Sequence, residues 1–180
     1  RVTGDTADLF DWEPDRSFDV VVASLYQLPV DPFAEPTGHR PLDYWGRTLL
    51  DHFLRLLPKL LAPGGKAYVM QLSVIGQAAT ERLLAAAGLE ARVVEFSFFP
   101  FGPLFEESRE QIERVEQLSD AYHVAVGDED VMVAYLLEVT RGQDVRAAVA
   151  DYGPDLVILD MQIANMGGVA VDAEGRSTIE

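Results

Sequence analysis

The chain has 180 residues, 48% of them hydrophobic, which suits one ordinary domain with a sizeable core. It contains no cysteine, which excludes disulfides, Cys-zinc sites and thiol catalysis, and its formal net charge of −16 argues against nucleic acid as a partner, since phosphate is repelled at long range. No apolar run reaches the ~18 residues needed to span a bilayer, and the polar start at Arg1 has no Met and no signal peptide, so no membrane partner is expected and a cytoplasmic address fits.

Phe18-Asp-Val-Val-Val-Ala23 follows the turn-like Glu13–Ser17 and reads as a buried parallel strand. A loop with Pro29, Pro32, Pro36, Pro41 and Gly38 comes next, and Asp43 is expected to cap a helix. Trp45, Leu49, Phe53, Leu56, Leu57 and Leu60 recur at helical spacing, and Pro58 should kink or shorten that helix near its end. Ala62-Pro-Gly-Gly65 is expected to be a hard stop before a second strand, Lys66–Leu72. Gln77–Ala87 reads as a helix ended by Gly88, the residue best suited to a left-handed cap.

Ala91–Phe99 is the third expected strand, and Glu106–Leu118 an acidic helix within an insertion. Val131–Val139 is apolar on both faces and is expected inside a sheet. Alternating strands and helices predict a three-layer α/β domain. The link between the last two strands lacks an ordinary crossover helix, which allows an antiparallel pair.

Asp8-Leu-Phe10, Phe18–Tyr26, Leu57-Pro-Lys-Leu-Leu-Ala-Pro-Gly-Gly65 and Val131–Val139, in this order, resemble the class I S-adenosylmethionine (SAM)-dependent methyltransferases. The likeness is to the branch of release-factor glutamine methyltransferases and related small-domain enzymes. It covers residues 1–141 and implies an α/β fold, a partial Rossmann-like sheet whose last strand, Val131–Val139, is antiparallel. Ligands of such sheets sit beyond the strands' carboxyl ends, which places Ser24, Leu25, Tyr26 and Gln27 at the site mouth. The resemblance implies SAM as cofactor, with Asp8 beside the adenine, Leu9 or Phe10 against its ring, and Asp5 a rival for the Asp8 role. Taken without that resemblance, Asp5 and Asp8 read as ordinary loop carboxylates.

Where such enzymes carry Asn-Pro-Pro-Tyr, this chain has Ser24-Leu-Tyr-Gln27. Ser24 cannot make the paired amide contact that holds a planar nitrogen, which argues against glutamine or adenine N-methylation. Ser24 and Tyr26 remain candidates to orient an oxygen or nitrogen nucleophile on a small-molecule or protein acceptor, or are simply a strand end and a packing aromatic. The family's glycine-rich loop and ribose-binding acid do not precede Arg1, so the sequence reads as a fragment, and the Phe18–Ala23 strand is expected to present a bare apolar edge.

Phe96, Phe98, Phe99, Phe101 and Phe105 form an aromatic cluster, either a substrate wall or, for Phe96 and Phe98, core residues of a strand. His52 is expected to be solvated, and His123 to be a surface residue or a general base. In the tail, Pro154-Asp-Leu-Val-Ile-Leu-Asp160 and Met166-Gly-Gly168 resemble the middle of a response-regulator receiver domain over 142–170. That resemblance makes Asp160 a phosphoacceptor in an alternative reading as a phosphorelay module. The partners a receiver needs for Mg²⁺ are absent from the sequence. A catalytically silent α/β fragment or binding module is the third reading, and residues 171–180 are expected to be disordered.

Overall fold

The computed structural model describes Gly4, residues 6–33 and 42–142, and the backbone of three short strands at 156–160, 170–171 and 177–178. It is an α/β fold around a mixed open sheet. The strands are β1 (Phe18–Ser24), β2 (Leu61–Leu72), β3 (Leu89–Pro100), β4 (Val124–Val126), β5 (Glu129–Arg141) and β6 (Leu156–Asp160). The helices are α1 (Thr48–Leu60), α2 (Ala78–Ala86), α3 (Pro103–Glu107) and α4 (Arg109–Leu118). The sheet order is β3-β5-β2-β1-β6, with β4 hydrogen-bonded to β5. Ala170–Val171 (β7) and Ser177–Thr178 (β8) pair separately, and all of this pair but Ala170 lies in the stretch expected to be disordered.

β1 and β2 are parallel and joined by α1. β5 lies between β2 and β3 and is antiparallel to both, with Ala67 opposite Val139 and Leu72 opposite Ala134. The closing strand therefore runs opposite to its parallel neighbour, as the sequence suggests. The expected bare edge of β1 is absent: β6 pairs in parallel along it, from Val20 with Leu156 to Ser24 with Asp160.

Leu50, Phe53, Leu54, Leu57 and Leu60 of α1 are completely buried. Their spacing makes one continuous stripe, and each contributes roughly 1.5–3 kcal/mol through burial. The stripe is rotated from the expected one: Leu49 and Leu56 are only partly buried, and Trp45 lies before the helix. The helix starts late because Gly46 adopts φ 68° and passes so close to Pro29 that a Cβ would lie 2.4 Å from the proline nitrogen. Asp43 still caps the helix, but from five residues away, its Oδ2 accepting from Thr48 N at 2.7 Å. Pro58 sits inside the helix, which ends two residues later. Arg141 donates to the Pro58 and Leu61 carbonyls there, satisfying acceptors at the helix end.

Ala62–Gly65 does not end the strand but bulges from it. Phe18 faces Leu61 and Val20 faces Lys66, so the four residues stand opposite Asp19 alone. Gly88 caps α2 with φ 69°, as expected. The amino end of α2 is capped from afar by Asp120, whose Oδ2 accepts from Gln77 N and Ala78 N at 2.7 Å each.

Across the central strands, fully buried Val21, Ala23, Ala67, Val69 and Val139 alternate with half-buried Val20, Val22, Tyr68 and Met70. One sheet face is thus sealed and the other is less covered. β3 is exposed along its whole length except at Leu89. Phe96 and Phe98 are 55% and 58% exposed, so they are not core phenylalanines.

Candidate functional site

Asp8–Asp11 forms a tight turn. Phe10 N donates to Asp8 Oδ1 at 2.9 Å and Asp11 N to Asp8 O at 3.1 Å, an aspartate using its own carboxylate to fold the next residues. Leu9 packs against the core and Phe10 is 50% exposed, so the turn presents an aromatic ring to solvent. His52 of α1 lies against it. Its Nε2 is 3.1 Å from Leu9 O and its ring centroid 4.9 Å from that of Phe10. The expectation of a solvated His52 is therefore corrected: it is half-buried. Asp5 lies outside the described residues.

Ser24 closes β1 and is half-buried. It lines a shallow hollow of about 320 Å³ with Val22, Met70, Leu136, Phe96 and Phe99, on the less covered sheet face. Tyr26 is half-buried and packed against the core. Leu25 and Gln27 are buried at 2% and 1% exposure, so neither stands at the mouth. Gln27 instead ties the chain after β1 to the end of β2, Nε2 donating to Met70 O at 2.7 Å and Oε1 accepting from Leu72 N at 2.8 Å. Its side chain continues the ladder where β1 stops.

A second polar cluster organises the turn after β2. Arg47, 5% exposed, donates to the Ile75 and Gly76 carbonyls, to Thr80 Oγ1 and to Asp51. Gln71 Nε2 also donates to Gly76 O. Gly76 has φ 71° with Asp120 against it, so any side chain there collides with the carboxylate. Burial raises the Asp120 pKa, but the amides of Ala78 and Gln77 outweigh it and hold the carboxyl below its ordinary value.

Tyr135 and Tyr122 are hydroxyl-to-hydroxyl neighbours. Burial first, and then Tyr122, push the Tyr135 phenol up to about 12, so it is no base at neutral pH. On the sheet face, Glu138 is 7% exposed and accepts from Arg92, Tyr68 and Lys66. Arg92 leads in holding its carboxyl below the usual range against the opposing effect of burial.

His123 is held by Glu116 at 2.7 Å, with Asp130 at 3.7 Å and the Phe101 ring beside it. These partners tie α4 to the start of β5. Phe105 is buried and Phe101 stacks on it, so both belong to the packing of the insertion rather than to a wall. Asp160 ends β6 in register with Ser24; its side chain lies outside the described residues. Among the described residues no group of three His, Asp or Glu side chains could hold a metal, and no helix is long and apolar enough to cross a membrane.

Gln27, Arg47 and Asp120 were missed as organising residues. Gln27 alone left a signal, a lone amide between Leu25 and Leu28 in an apolar run. No family model matches the chain, nor does any curated protein or any solved structure.

Proposed function

We propose that the chain carries a class I methyltransferase-type sheet and serves SAM-dependent methyl transfer to a small-molecule or protein acceptor. The observation that carries this reading is the strand arrangement. β5 runs antiparallel between β2 and β3, beside parallel β1 and β2, and the Asp8–Asp11 turn precedes β1.

The described residues fit one side of the cofactor. The half-exposed Phe10 ring and the packed Leu9 offer an apolar rest for an adenine, with Asp8 beside them. Bound SAM supplies an electrophilic methyl group. Ser24 is a polar group at the end of β1, and its task is to orient the acceptor. Glu116 and Asp130 engage His123, which fixes the direction of its ring at the insertion.

Calorimetric titration with S-adenosylhomocysteine tests the reading. Saturable one-to-one binding that weakens in Asp8→Ala supports it; absence of binding up to about 1 mM, a free energy near −4 kcal/mol, overturns it. The position of Asp160 at the carboxyl end of β6, beside Ser24, favours a second reading as a phosphoacceptor. That reading requires acetyl phosphate to label the chain covalently and the label to vanish in Asp160→Ala.

A further inference from the structure

We infer that His52 is a positioning residue for the turn proposed to meet the adenine, an inference that rests on the cofactor reading above. Leu9 O can only accept, so the 3.1 Å contact requires the proton on His52 Nε2. The Nε2–H tautomer supplies it. The same imidazole lies tilted at 55° against Phe10. One side chain therefore holds both the backbone and the aromatic ring of a turn that Asp8 folds through its own carboxylate and carbonyl.

The helix that carries His52 is itself fixed. One residue earlier, Asp51 pairs with Arg47 at 2.8 Å, and Arg47 is bonded to the turn after β2. The five buried apolar residues of α1 seat the opposite face. A rigid helix thus aims His52 at a surface turn that has little packing of its own beyond Leu9. A ring such as Phe10, half in solvent, gains a defined direction only through such a contact, and a flat ligand stacking on it then meets a surface already ordered.

The test uses the full chain and the variants His52→Ala, His52→Phe and His52→Gln. In the ligand-free protein, amide exchange at Phe10 and Asp11 is expected to accelerate about tenfold in His52→Ala, the effect of losing one hydrogen bond, while α1 amides keep their rates. S-adenosylhomocysteine affinity falls about tenfold in His52→Ala with little change in melting temperature. His52→Gln, which keeps a donor, and His52→Phe, which keeps a ring, each recover part of it. Unchanged exchange at Phe10 overturns the inference. Saturable wild-type binding with the same affinity in His52→Ala also overturns it, while leaving the cofactor reading intact. No wild-type binding at all overturns the cofactor reading and the inference with it.

Discussion

Phe18–Ser24 and Leu89–Pro100 are both apolar strands rich in valine and phenylalanine, and both pair in the same sheet, yet their surroundings differ. β1 is bonded on both sides, and Val21 and Ala23 are sealed. Among the described residues β3 is bonded on one side only, and it keeps Val93, Phe96 and Phe98 about half exposed. Apolar text declares a strand, but position in the sheet decides whether its side chains are removed from water. The two regions therefore carry unequal shares of the stability.

The sharpest way to break this comparison is a pair of truncations. Leu57→Ala, in the stripe of α1, is expected to cost about 2–5 kcal/mol in denaturant unfolding. Phe98→Ala at the edge should cost no more than about 0.5 kcal/mol. Equal losses would refute the division between core and edge.

Arg47→Ala comes next, with an expected loss of about 2–4 kcal/mol, because the Ile75 and Gly76 carbonyls lose a buried donor and Asp51 its cation. Arg114→Ala is the matching control. Its guanidinium is 44% exposed and pairs with Asp31, so removal should be close to silent. Gln27→Ala should cost about 1–3 kcal/mol, since Leu72 N loses its buried acceptor.

The smallest effect is in acid. Glu138 and Asp120 are both held below their ordinary carboxylate values. A depressed carboxyl adds stability that is complete above its unfolded-state pKa and is lost as pH falls through the folded value. The melting temperature should therefore be flat from pH 7 to about 5 and decline below about 4.5, with a shallower decline in Glu138→Gln. An unchanged slope in that variant would remove Glu138 from the account.

Much of the strand arrangement was legible, because β1, β2 and β5 announce themselves by continuous apolar runs. The start of α1 was not, because the close approach of Gly46 to Pro29 depends on a contact between distant turns. β6 along β1 was also unforeseen: its run was visible, but its partner is set by the sheet rather than by local sequence. Within the proposed site, Asp8, Leu9 and Phe10 stand together as a short motif in the sequence. His52 was not legible there, because its partner Leu9 is 43 residues away and no local pattern marks the contact.

Amide-shift mapping on isotopically labelled protein tests the central proposal most directly, since it reports where S-adenosylhomocysteine touches. The account predicts saturable shifts at Leu9, Phe10, His52 and Ser24, and quiet signals at residues 89–93 of β3, away from the hollow that Ser24 shares with Phe96 and Phe99. Shifts confined to β3, or none anywhere, would contradict it.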